Sequence, residues 1–205
     1  MHFRAIVSID FSGPVRCTDP NEFMEEAMNN GSKNAPEPAP VLGLHHNAYR
    51  CRDAEETRHF YEDVLGLPLV HVVKESKVPS TGENTPFVHL FFELKDKSCI
   101  AFFDLGDNVK PAPSPNTPAW VTHFAMKVPS VKDVEAMKSR LEANGISVVG
   151  VTDHGFVKSI YFFDPNGIRL ELTAETATQD ELDQYARTAH AALATWTKEK
   201  AAARA

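Results

Sequence analysis

From Val41 onward, short runs of alternating apolar and polar residues are interrupted by two stretches with a helical period. LGLHHNAYRC and WVTHFAMKVP both read as strands. They share a histidine, then any residue, then alanine, an apolar residue, a base and a small apolar residue: His46-Asn47-Ala48-Tyr49-Arg50-Cys51 and His123-Phe124-Ala125-Met126-Lys127-Val128. An amphipathic helix follows each. The first spans about Asp53 to Leu65, sets Thr57, Phe60, Tyr61 and Val64 on one face, and stops at Gly66. The second is capped by Ser130, sets Val134, Met137 and Leu141 on one face, and stops at Gly145.

Three further strand patterns follow each helix, at Leu69–Lys74, Phe87–Leu94 and Ser98–Leu105, then at Ser147–Thr152, Val157–Phe163 and Arg169–Thr173. The same unit is therefore written twice, and a repeat of this kind decides the fold class. The chain is expected to be α+β, with two tandem βαβββ modules at residues 41–107 and 119–175, joined by the proline-rich link Lys110–Pro118. Matching the hairpin FFELKD to FFDPNG sets His89 opposite Ile160, on the face away from Tyr161's counterpart, so only a bulge would turn it inward.

Outside the modules, residues 1–40 form an extension. In it Asp19-Pro20 opens a short helix over NEFMEEAMNN, and NAPEPAP acts as a connector. Residues 178–204 are expected to form one long helix, with Thr178 and Glu181 as a capping box and Leu182, Tyr185, Ala189, Leu193 and Trp196 in one stripe. Such a stripe has to be covered, by the core or by a second subunit. Together with the apolar surface of the extension, it predicts a homodimer.

Composition narrows the function. Among 205 residues, 42% are apolar and 24% charged, which is globular, and no apolar run approaches the roughly 20 residues of a membrane span. A net charge of -7 argues against a nucleic-acid partner. Cys17, Cys51 and Cys99 are an odd number without C-x-x-C spacing, so they read as free thiols in a reducing cytoplasm. The MHFRAIVSIDFSG start makes a poor signal peptide.

Duplicated βαβββ modules with a histidine on each first strand resemble the vicinal-oxygen-chelate superfamily, over about residues 43–175. That superfamily includes glyoxalase I, fosfomycin- and bleomycin-resistance proteins, methylmalonyl-CoA epimerase and the extradiol ring-cleaving dioxygenases. HGFVKSIYFFDPNGIRLE, from His154 to Glu171, is similar to the extradiol signature of a histidine, a tyrosine, a D-P-x-G turn and a glutamate. Asp153 departs from the residues usual before that histidine.

The resemblance implies a mixed-sheet half-barrel around one divalent metal, Fe(II) or Mn(II), held by His46, His123 and Glu171. Two imidazoles and one carboxylate on one face leave open positions on such an ion. His45, its neighbour, points to the opposite face of the strand and is the alternative to His46 if the register is off by one. Tyr161 and His154 correspond to groups that hydrogen-bond substrate in extradiol enzymes, and His89 is a candidate for moving a proton. Ser98 stands where the larger extradiol enzymes carry an acid–base histidine. The first module's counterpart of Glu171 is Ile100 or Ala101, neither a ligand.

Phe87, Phe91 or Phe92, Phe102, Phe103, Trp120 and Phe156 supply aromatic lining, and Arg50, Lys127, Lys158 and Arg169 read as solvated strand positions. The expected activity is extradiol cleavage of a small catecholic substrate by O2. The alternative is a non-oxidative metal enzyme of the same superfamily, a lyase, epimerase or thiol transferase. A metal-free binder of the bleomycin-sequestering kind is disfavoured by the intact ligand triad.

Overall fold

The computed structural model describes residues 39–202; the expected N-terminal helix, most of the proline-rich connector and Cys17 lie outside the described residues. The alternating segments build two four-stranded sheets. The first contains β1 (His46–Arg50), β2 (Leu69–Glu75), β3 (Phe87–Glu93) and β4 (Cys99–Asp104) in the order β1-β4-β3-β2. The second contains β5 (His123–Lys127), β6 (Val149–Asp153), β7 (Val157–Phe163) and β8 (Arg169–Glu175) in the order β5-β8-β7-β6. In each sheet the first and last strands run parallel and the other neighbours antiparallel, so both sheets are mixed. The repeated α+β unit read from the alternation is the observed fold.

Each module's helix starts where its cap predicts. Asp53 accepts from the Glu56 N–H at 2.7 Å and opens α1 (Ala54–Arg58). Ser130 caps α2 (Val131–Ala143) by accepting from the Asp133 N–H at 3.3 Å. After Arg58 the first helix widens into a π-helical stretch, His59–Val64, instead of continuing as one α-helix. The wider turn lets the adjacent residues Phe60 and Tyr61 both enter the core, with Val64 beneath them.

One core serves both modules. Phe92, Ile100 and Phe102 of the first sheet meet Ile160, Phe162, Leu170 and Leu172 of the second, with Phe60, Tyr61, Val134 and Leu141 from the helices. Tyr49 of β1 packs edge-on against Phe124 of β5. The first module's helix also grips the second module's Asp164–Gly167 turn. Tyr61 donates to Asp164 Oδ2 at 3.1 Å, Asn166 donates to Thr57 Oγ1 at 3.2 Å, and the Arg52 N–H donates to Asn166 Oδ1 at 2.9 Å. That turn leads directly into β8, so the helix of one module fixes the site strand of the other.

The long helix, α3 (Gln179–Ala202), opens with the expected box: the Thr178 N–H donates to Glu181 Oε2 at 2.8 Å and the Glu181 N–H to Thr178 Oγ1 at 3.4 Å. No described residue of α3 is buried, and among the described aromatic rings Tyr185 meets only the exposed Phe156, edge-on. Among the described residues, the core therefore does not bury the stripe. No helix among the described residues is long and apolar enough to cross a membrane.

Candidate metal centre

Strand alternation sorts every site candidate by face. Phe124, Met126, Leu170 and Leu172 turn toward the core, so His123, Arg169 and Glu171 turn to the opposite face. Tyr161 pairs with Glu171 across β7 and β8 and shares that face. His123 Nε2 lies 3.0 Å from Glu171 Oε2, and Glu171 is buried, with only 6% of its surface exposed.

The other imidazole nitrogen, His123 Nδ1, lies 3.1 Å from the Val121 carbonyl oxygen and donates to it. In a neutral ring this leaves the lone pair of Nε2 aimed at a buried carboxylate. Two acceptors at 3.0 Å repel unless positive charge lies between them, as a second ring proton or a metal ion. A donor set of one oriented imidazole and one buried carboxylate therefore fits a divalent cation. The carbonyl behind the histidine is the support that metal-ligating histidines usually have.

Tyr161 joins the pair from β7. His154 Nε2 lies 2.7 Å from its hydroxyl, and its ring stands edge-on to His123 with centroids 6.1 Å apart. Burial first, then the Glu171 carboxylate, holds the phenol's pKa above its ordinary value, so it stays a hydrogen-bond donor at neutral pH. Asp153, the departure in the signature, accepts from the Gly155 N–H at 2.8 Å and pairs with Lys158 at 3.4 Å. It thereby folds the turn that presents His154.

In the first sheet the same face carries His46, His89, Phe91 and Phe103. His46 occupies His123's register position, paired with Cys99 as His123 is with Arg169. Its ring lies 5.8 Å from His89 and 5.4 Å from Phe91. Among the described residues, no three His, Cys, Asp or Glu side chains stand close enough to hold one ion. His123 and Glu171 are brought together, and His46 is not drawn up to them.

His45 lies ahead of β1, with its Nδ1 2.7 Å from His46 Nδ1. It thus sits beside His46 and not across the sheet from it, because the regular alternation begins only at His46.

His89 is placed inward without a bulge in β3. Phe91 pairs with Ala101 as Tyr161 pairs with Glu171, so Phe92, and not Phe91, is the partner of Phe162 in the repeat. His89 then matches Ser159 and shares the His46 face; matching it to Ile160 is off by one. Ala101 takes the place of Glu171, which settles the choice between Ile100 and Ala101. His89 stacks on Phe103 at 3.7 Å and is 8% exposed, and its Nε2 is buried with no partner among the described residues. Burial, then the nearby His46 and His71, pushes its pKa down to about 4.

Of the aromatic lining, Phe87, Phe91 and Phe103 lie on the His46 face, whereas Phe92 and Phe102 are fully buried in the core. Ser98 donates to Asp96 Oδ1 at 2.6 Å within its own turn. Arg169 corrects the reading of a solvated base: its guanidinium sits 4.2 Å over the Tyr161 ring, and Nη1 donates to the Trp120 carbonyl at 2.7 Å. Its spacing of two from Glu171 was the available signal, since residues two apart on a strand share a face.

Residues 43–172 match the Glyoxalase/Bleomycin resistance protein/Dioxygenase superfamily. The chain belongs to this superfamily. It is 28% identical over 168 residues to the biphenyl-2,3-diol 1,2-dioxygenase of Paraburkholderia xenovorans (strain LB400), covering 79% of this chain and 51% of that protein. The chain thus spans about half the length of the curated relatives it matches. A glyoxalase/dioxygenase from Nostoc punctiforme superposes with a TM-score of 0.52 at 22% identity, over 70% of this chain and 97% of that one. A glyoxylase/bleomycin resistance protein/dioxygenase domain from Frankia sp. EAN1pec superposes with a TM-score of 0.53 at 17% identity, over 67% and 100%. These two likenesses concern the fold.

Proposed function

We propose that this chain is a metal-dependent extradiol-type dioxygenase that opens the ring of a small catecholic substrate with O2. The observation that carries the reading is the row of groups on one sheet face: His154 hydrogen-bonded to Tyr161, Tyr161 paired with Glu171 across the strands, and Glu171 3.0 Å from His123. The resemblance to biphenyl-2,3-diol dioxygenase supports the same chemistry.

In this reading His123, Glu171 and His46 hold Fe(II) or Mn(II). When bound, the ion supplies Lewis acidity and open positions for two vicinal oxygens and dioxygen. Tyr161 donates its hydroxyl proton toward a substrate oxygen, while His154 Nε2 orients that hydroxyl and exchanges a proton with it. His89, kept neutral by burial and with its Nε2 unpartnered among the described residues, is the candidate for moving a proton on the His46 side. Phe87, Phe91 and Phe103 supply an apolar wall suited to an aromatic ring. We place the protein in the cytoplasm, consistent with the free thiols of Cys51 and Cys99, and as a homodimer through α3.

Ser98 favours one competing reading. With no acid–base histidine at that position and its hydroxyl tied to Asp96, a non-oxidative lyase, epimerase or transferase is the alternative.

The test is metal analysis of anaerobically purified protein, followed by oxygen-electrode traces with a panel of catechols. His123→Ala and Glu171→Ala should each lose most of the metal and still fold, because the shared apolar core closes without them. Full metal retention in both variants removes the ligand assignment. Metal-replete protein that consumes no oxygen with any catechol removes the dioxygenase reading.

A further inference from the structure

Arg169 carries an observation that ring opening alone does not use. It lies beside His123 in the β5–β8 register and beside Phe163 in the β7–β8 register, on the face of the candidate metal centre. The guanidinium carbon lies 4.2 Å from the centroid of the Tyr161 ring, a cation–π contact that holds the group over the tyrosine. One N–H is committed to the Trp120 carbonyl, and no carboxylate pairs with the group among the described residues. By contrast, Arg50, Arg52 and Arg58 are each neutralised by carboxylates, Asp107, Glu56, and Glu55 with Asp63.

The fold does not require a base here. Cys99 occupies the same register position in the first sheet, paired with His46 as Arg169 is with His123, and that sheet closes equally well. The exposed Phe163 lies beside Arg169 in the strand register, and the Trp120 carbonyl holds one edge of the guanidinium, leaving an oriented, partly exposed cation. The chain as a whole carries a net charge of -7, so an anion is not attracted to this surface without such a local cation.

We propose that Arg169 is a specificity residue that receives an anionic substituent of the substrate, so that the preferred ligand is an aromatic vicinal diol carrying a carboxylate. The diol part rests on the proposed dioxygenase reading; the anion part does not. The diol meets the Tyr161 hydroxyl and the metal ligands, and the carboxylate meets the guanidinium lying over the ring of the same tyrosine. The planar fork matches a carboxylate with two parallel hydrogen bonds, one of the stronger contacts a side chain can make.

Binding can be measured by calorimetry under nitrogen on the metal-loaded protein, with 3,4-dihydroxyphenylacetate, 4-methylcatechol and phenylacetate as probes. The carboxylated catechol should bind on the order of ten- to a hundredfold more tightly than 4-methylcatechol, and phenylacetate should bind in a salt-sensitive way. In Arg169→Met the ratio between the two catechols should collapse toward one and phenylacetate binding should disappear. If the methionine variant does not fold, Arg169→Lys decides. It keeps charge and stem but loses the fork, so the preference should fall by about threefold or more.

Equal affinities in the wild type, or a preference that survives in the folded variant, overturns the assignment. If phenylacetate binding depends on Arg169 but neither catechol gains from its diol, Arg169 keeps its role and the catechol reading fails. If both catechols bind well and equally, the catechol reading stands and Arg169 loses the role.

Discussion

Tyr161 is held from several sides: His154 at its hydroxyl, Arg169 over its ring, Glu171 beside it across the strand pair. In the proposed reaction its hydroxyl matters most while charge builds on the substrate oxygen. Tyr161→Phe keeps the ring and its stacking and removes only that donor. Metal content and Tm should barely move, and turnover of a catechol should fall by a factor on the order of ten to a thousand. Unchanged turnover would take Tyr161 out of the chemistry and leave it a packing residue. The identity of this side chain was readable from its place before the D-P-N-G turn, but Arg169 was not read with it. A base on a strand looks solvated in sequence, and only the stack over Tyr161 and the bond to the Trp120 carbonyl show that it is fixed in place.

Hairpins and helix ends decided how far the elements could be placed from sequence. Caps and repeat were legible because Asp53, Ser130 and the two H-x-A strands act through local rules. Matching the two Phe-Phe pairs by identity misplaces His89 by one residue, and because neighbours on a strand face opposite ways that single step changes its face. The turns hold the better register. The Leu94 N–H donates to the Ser98 carbonyl as the Asp164 N–H donates to that of Ile168, and Lys97 and Gly167 both take positive φ, 73° and 84°. Lysine hides a position where glycine would have announced the turn.

The contact between α1 and this second turn is nonlocal, so no pattern disclosed it, and it predicts a measurable coupling. Burial, its leading cause, pushes the pKa of Asp164 up, and the Tyr61 hydroxyl is among the donors opposing that shift. Tyr61→Phe should cost about 1–3 kcal/mol, as expected when a bond to a buried charged group is lost. A carboxyl whose folded pKa is raised contributes stability below its unfolded pKa and loses it as pH rises through the folded one. Removing Tyr61 raises that folded pKa further, so the deficit should widen from acid toward neutral pH. Urea midpoints across pH 4 to 8 check this; a deficit that shrinks toward neutral pH contradicts it.

At the scale of the whole molecule, the shared core explains why two small modules form one unit, and α3 is the part it leaves uncovered. The 24 residues of α3 form a rod about 36 Å long at 1.5 Å per residue, with no residue buried. Leu193 is 63% exposed, Trp196 57% and Tyr185 50%, all on one stripe. A helix of this kind draws most of its stability from packing its apolar face, and among the described residues only Phe156 sets a ring against Tyr185. A second copy presents the same stripe, and two such helices can lie against each other across a twofold axis. Light scattering after size exclusion should therefore give twice the 22.7 kDa chain mass at micromolar concentration. Each large apolar side chain removed from water contributes about 1.5–3 kcal/mol. Replacing both Leu193 and Trp196 by aspartate should weaken the pair by at least about a hundredfold and return the single-chain mass. The melting of the sheet core should be little changed, since no core residue belongs to α3. A wild-type protein that elutes as a single chain at these concentrations removes the dimer, and the stripe then stands exposed in the isolated molecule.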